Sequence, residues 1–180
     1  MRFDPAGRRL LVSVRELVGA SLPSPTPRAS TPWRARLGQQ AHLRYRALRA
    51  DEVELVDSEL SLSCERALRN HHASVRGRAD VGVRDPDGAL VVEEVKSLSL
   101  ERDADPADLG AEVDAAVFQA CIYALCLEER ERLAGLDTPV RARVALVDVS
   151  EDRYQLLEVG YQRAATEQRL DAAIEELLAL

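Results

Sequence analysis

Residues 85–88 read Asp-Pro-Asp-Gly and stand between two runs rich in β-branched residues, 73–84 and 89–97. Proline fits the second position of a type I turn, and Gly88 supplies the left-handed residue that follows. This spacing predicts a three-residue hairpin loop closed by Asp85 and Ala89. A hairpin of known register fixes which side chains meet, because directly opposed residues share one face with Cβ atoms ~5 Å apart. Counting outward, Asp80 falls opposite Glu94 and Arg78 opposite Lys96. Lys96, two residues beyond Glu94, points to the same face of its strand.

Two opposed carboxylates repel each other unless a cation lies between them. Mg²⁺ suits that role, since it takes carboxylate oxygens at ~2.1 Å and keeps several waters. The cation beside them has its own signal. Of 24 basic residues 23 are arginine, and Lys96 is the single lysine. Lysine is a compact ammonium that can lose its proton when desolvated, whereas arginine stays protonated. A lone lysine in an arginine-biased chain is weak by itself; its place beside the opposed carboxylates gives it weight. Glu93 leaves one ambiguity, because a slip of one residue would turn it, and not Glu94, toward Asp80.

The rest of the chain reads as one α/β domain. Ser13 caps a short helix, VRELVGA, and residues 21–32 are rich in Pro, Ser and Thr, as a linker is. A helix is expected over 33–50, strands over about 52–66, 73–84 and 89–97, and a helix from Asp105-Pro106 to about 134. Strands over 140–150 and 153–160 and a helix over 163–179 complete the order. We expect a central mixed β-sheet flanked by helices, with 1–32 as short helix plus linker and 33–180 as a single domain. Trp33 is expected in packing, with base stacking as the alternative. His71 and His72 fall at an expected turn, as surface residues, with replacement of His42 at a metal as the alternative.

Four short motifs run in order along this frame: Gly38-Gln39-Gln40-Ala41-His42, Gly77-Arg78-Ala79-Asp80, Glu94-Val95-Lys96 and Gln119-Ala120-Cys121-Ile122-Tyr123. Asp80…Glu94-Val95-Lys96 resembles the D…(D/E)xK signature of the PD-(D/E)XK nuclease superfamily. The others resemble the GxxxH, GxxD and QxxxY motifs of its RecB-like branch. The resemblance implies a restriction-endonuclease-like core and metal-assisted phosphodiester hydrolysis. It implies Asp80 and Glu94 as ligands of Mg²⁺ or Mn²⁺, with the Val95 carbonyl and His42 as further ligands. Lys96 would position or activate the attacking water, and Gln119 and Tyr123 would orient the site or contact DNA. Members with an iron–sulfur cluster use four cysteines around the core. Cys64, Cys121 and Cys126 lie elsewhere, so no iron–sulfur cluster is expected.

Charge distribution adds a DNA-binding expectation. The net charge is −7, yet residues 1–50 hold ten arginines against two acids, a net of +8 that leaves −15 on the remainder. Arg34, Arg36, Arg44 and Arg46 of the expected 33–50 helix are candidates for phosphate contact; a solvated face is the alternative. No apolar run approaches the ~20 residues of a membrane span, so no membrane partner and a cytoplasmic location are expected. Two functions follow. One is a metal-dependent DNA nuclease in a repair or defence complex, with a helicase or ATPase subunit as protein partner. The other is a catalytically silent nuclease-fold subunit that binds nucleic acid or supports assembly.

Overall fold

The computed structural model describes residues 1–4, 6–22, 32–98, 106–148 and 153–179. The elements are β1 (Arg2–Asp4), β2 (Arg9–Ser13), α1 (Val14–Ser21), α2 (Pro32–Glu52), β3 (Glu54–Asp57), β4 (Leu60–Leu68), β5 (His71–Ala79), β6 (Val81–Arg84), β7 (Leu90–Leu98), α3 (Pro106–Leu133), β8 (Val140–Asp148), β9 (Arg153–Val159) and α4 (Arg163–Leu178). The α/β class is as expected, but the strands form two mixed sheets instead of one. The first has the order β1-β2-β5-β4 and the second β3-β6-β7-β8-β9.

The division happens at two points that looked like continuous strands in the sequence. The run 73–84 bends at Asp80: it leaves the first sheet after Ala79 and joins the second at Val81. The run 52–66 breaks at Glu59, whose φ of +108° turns β3 into β4. Periodicity cannot signal such crossings, since the pattern of alternating side chains survives a change of sheet. The stretch 1–32 contributes β1, β2 and α1: β2 pairs in parallel with β5, from Arg9 opposite His72 to Ser13 opposite Arg76. Ser13 ends that strand and caps α1 in a full capping box with Glu16. Most of the Pro/Ser/Thr-rich stretch, 23–31, lies outside the described residues.

The hairpin has the register read from the turn. Val81 opposes Glu93 and Arg84 opposes Leu90. The Asp85 amide donates to the Ala89 carbonyl at 2.9 Å, and Gly88 takes φ +86°. Arg143 of β8 grips the Asp85 carboxylate with two bonds of 2.8 and 2.7 Å, which anchors the loop to the sheet.

Three apolar clusters hold the layers. Leu10, Val12, Leu62 and Val75 of the first sheet pack with Phe118 and Ile122 of α3 and Ile174 of α4. Val81, Val83, Val91 and Val95 of the second sheet pack on Ala41 and Tyr45 of α2. Ala116, Ala120 and Ala124 let α3 lie close on Ala142 and Val144 of β8. Helix α3 thus fills the space between the sheets. Its segment Gly110–Leu133 has the length and hydropathy of a membrane span, contrary to the expectation that no apolar run approaches one. Its Phe118, Ile122, Leu125 and Leu127 are buried in the core described here.

Candidate active site

Because the chain enters the second sheet only at Val81, after β5 has left the first, the ladder between β6 and β7 stops at Val81 and Glu93. The backbone of β7 beyond that point needs another partner. Asp80 supplies it: its Oδ2 accepts the Val95 amide at 2.8 Å. The fork between the sheets opens a cleft of about 1150 Å³ walled by α2, β5, β7 and α3. His42, Asp80, Glu94, Val95, Lys96, Gln119 and Tyr123 all line it.

The two acids of β7 separate by strand alternation. Glu93 is fully buried against α2, where Tyr45 Oη donates to its Oε2 at 2.6 Å and Arg49 donates to both oxygens at 3.1 and 2.7 Å. Glu94 faces the cleft. The adjacent-acid ambiguity is settled by α2, whose Tyr45 and Arg49 take up the Glu93 carboxylate. Arg49, counted in the basic segment, is therefore spent on an internal pair. That pair fixes α2 against the sheet, and His42 lies two turns earlier on the same helix.

Glu94 is buried, and its Oε1 accepts from Lys96 Nζ at 3.0 Å. Its Oε2 is buried with no hydrogen-bond partner. Burial is the largest influence on this carboxyl; Lys96 pulls against it and the Asp80 charge adds to it, and the result is a rise to about 7. Asp80 moves the other way. Burial alone would raise it, but His42, the Val95 amide and Lys96 together hold it below the usual aspartate range. His42 Nδ1 lies 3.4 Å from Asp80 Oδ1.

The donors suit a hard divalent cation: two carboxylates of opposite protonation tendency, an imidazole, a backbone carbonyl, and one buried oxygen lacking any partner. Among the described residues no three His, Cys, Asp or Glu side chains already converge as a ligand group. Asp80 is engaged with His42 and Glu94 with Lys96.

The glycine and tyrosine motifs explain each other. A Cβ at Gly77 would lie 2.6 Å from Tyr123 Cε1, 2.8 Å from its hydroxyl oxygen and 3.0 Å from Val14 Cγ2. Only glycine lets the ring come this close to β5. Burial pushes the Tyr123 hydroxyl up from its ordinary pKa, and Gln119, one turn earlier on α3, and the Arg78 backbone pull against it. Gln119 is 9% exposed at the cleft wall.

The remaining expectations divide. Arg46 lines the cleft, whereas Arg36 and Arg44 are exposed on α2 and do not; the side chain of Arg34 lies outside the described residues. Arg78 opposes Ser61 in the first sheet, not Lys96, because β5 pairs with β4 there. Trp33 is 67% exposed, so it is not a packing residue. His71 and His72 open β5 opposite Leu68 and Ala67, away from the cleft. Glu59 and Glu112, which also line the cleft, were not singled out from the sequence. Neither belongs to a motif, and the turn at Glu59 carries no Gly, Pro or Asn to mark it.

The model of the PD-(D/E)XK nuclease superfamily matches residues 7–180, and the chain belongs to that superfamily. Its members are generally phosphodiester-hydrolysing nucleases. Among solved structures, the crystal structure of SSO0001 is similar with a TM-score of 0.58 at 17% identity, over 92% of this chain and 75% of that one. At that identity the likeness concerns the fold. No curated protein matches significantly.

Proposed function

We propose that this chain is a metal-dependent deoxyribonuclease. The observation that carries the proposal is the buried Glu94 Oε2, which lacks a partner in a cleft also lined by Asp80 and Lys96. A buried acceptor without a donor is costly, and a cation bound there would satisfy it. Asp80, Glu94 and the Val95 carbonyl would hold Mg²⁺ or Mn²⁺, with His42 as a further ligand or as the group that orients Asp80. Bound there, the cation would supply charge to the phosphate and acidity to water.

The protein's own groups do the rest. Lys96, attached to Glu94 at 3.0 Å, places a positive donor at the mouth of the carboxylate pair. It would orient the attacking water and balance the negative charge that develops on the phosphorane-like oxygens. Gln119 and Tyr123 form a fixed polar wall opposite α2 that would hold the sugar–phosphate chain in line with the water. Arg46 would contact a flanking phosphate. In the cell, a helicase or ATPase subunit is the partner we expect to deliver the strand.

The test is single-turnover cleavage of end-labelled duplex and single-stranded DNA with saturating Mg²⁺. The wild type should cleave at least one substrate, and Asp80→Ala should abolish both cleavage and metal affinity while retaining the fold. A wild type inert on every substrate, alone and with its partner, would establish the silent binding subunit instead.

A further inference from the structure

Three residues at the rim of the same cleft form an arrangement beside the candidate metal ligands, and it includes Arg46, the flanking-phosphate contact proposed above. Arg46 of α2 and Arg78 of β5 reach toward each other from different layers. Between them stands Glu59, from the turn joining β3 to β4. Its Oε1 lies 3.4 Å from Arg46 Nη2 and its Oε2 3.0 Å from Arg78 Nη1. All three line the cleft that contains Asp80, and Arg78 is two residues before it.

Three features mark Glu59 as a replaceable occupant and not a structural partner. One carboxylate faces two guanidinium groups, so the cluster keeps a net positive charge. The Nε of Arg46 is buried and has no partner, so the carboxylate leaves donor capacity unused. And Glu59 holds its place at φ +108°, a region a glutamate enters only under strain. Its side chain is 45% exposed, so nothing packs it in place.

We propose that Arg46 and Arg78 form a phosphodiester subsite next to the hydrolytic centre, and that Glu59 is its internal competitor, displaced when a nucleic-acid strand enters. A phosphodiester offers the two arginines the same pair of anionic oxygens, carried by an incoming strand and not by a strained turn. The occupant follows from the position: Arg78 and Asp80 are on one extended segment, so a phosphate held by Arg78 belongs to a chain whose neighbouring linkage lies at Asp80. The proposal rests on the nuclease reading only for this choice of ligand. The competitor would select for a polyanion, which can bring several phosphates at once, against isolated anions.

The test measures binding of a fluorescein-labelled oligothymidylate by anisotropy, in EDTA, across a series of salt concentrations. Wild type, Glu59→Gln, Glu59→Gly, and each of these on an Arg46→Gln/Arg78→Gln background are compared, with folding checked by circular dichroism. Glu59→Gln should tighten binding about threefold to tenfold at low salt, the scale of releasing two exposed ion pairs. Its log K against log salt should steepen by about one, because the freed arginines now exchange small anions for one phosphate. Glu59→Gly should behave alike and melt no lower than wild type, since glycine accepts the backbone angle. On the double-arginine background both gains should vanish. Unchanged or weaker binding by folded Glu59→Gln, or a gain that survives loss of both arginines, overturns the subsite. So does inorganic phosphate competing as well, per phosphate, as unlabelled oligonucleotide. Because no divalent metal is present, this outcome is independent of cleavage. Tightening without Mg²⁺-dependent hydrolysis would sustain the subsite and refute the nuclease, and the converse result would do the reverse.

Discussion

Glu94→Gln should stabilise the metal-free protein, and only at neutral to alkaline pH. The side chain is buried, one oxygen has no partner, and the carboxyl is raised from 4.5 to about 7. A folded-state value above the unfolded one means that the protonated form is the one the fold tolerates. Relative to a group with no such rise, stability is intact below pH 4.5 and is lost as pH climbs through 7. At about 1.4 kcal/mol per pH unit, the ionised carboxylate costs the apo fold about 3 kcal/mol above pH 8. Glutamine has the same shape, never ionises, and can still accept from Lys96. The variant should therefore melt about 5–10 °C higher than wild type at pH 8 in EDTA, and within ~2 °C of it at pH 4.5. Thermal melts by circular dichroism at intervals between those limits give the full curve. Saturating Mg²⁺ should erase or invert the difference at pH 8, since binding stabilises wild type through mass action and the variant has lost a ligand. An equal or lower melting temperature for the variant at pH 8 would refute the reasoning, because it would show that the Glu94 carboxylate is satisfied within the apo fold.

Metal binding should itself be linked to protons: calorimetry at pH 6 in buffers of different ionisation enthalpy should show close to one proton released per Mn²⁺, falling toward zero at pH 8.5. Gly77→Ala should displace Tyr123, costing about 1–3 kcal/mol in urea denaturation and most of the cleavage activity, while Tyr123→Phe should leave stability within ~1 kcal/mol. Arg49→Met should cost about 3–5 kcal/mol by leaving Glu93 buried without its cation, and adding Glu93→Gln should recover a large part of it. Lys96→Arg should retain fold and metal affinity but lose cleavage by at least ~10²-fold in single turnover, since a wide guanidinium replaces a compact ammonium.

The local part of this site was legible because it is written in one hairpin. Asp-Pro-Asp-Gly fixes the turn and the turn fixes the register as far as Val81 opposite Glu93; Asp80 lies one residue past the ladder and joins the cleft by accepting the Val95 amide, with Glu94 held by Lys96. His42, Gln119 and Tyr123 came from motif resemblance, and the fold gathers them at the same cleft. What escaped was the division into two sheets. Both crossings are bends inside strand-like runs, at Asp80 and at Glu59, and neither residue is a Gly, Pro or Asn that would mark a break. The same crossing misplaced Arg78, whose partner across the strand is Ser61. Charge counts misled at Arg49 in a similar way: a basic residue in a basic segment reads as surface, and only tertiary packing shows it bound to a fully buried Glu93.

The central claim, that the cleft is a cation-dependent hydrolytic site built on Asp80 and Glu94, is tested most directly by soaking crystals in Mn²⁺ and collecting anomalous diffraction at the manganese edge. One anomalous peak is expected between the two carboxylates, within bonding distance of Glu94 Oε2, with Lys96 adjacent but not coordinated, and no peak there in Asp80→Ala crystals. Saturating Mn²⁺ that leaves this position empty, with Glu94 still held only by Lys96, would contradict it.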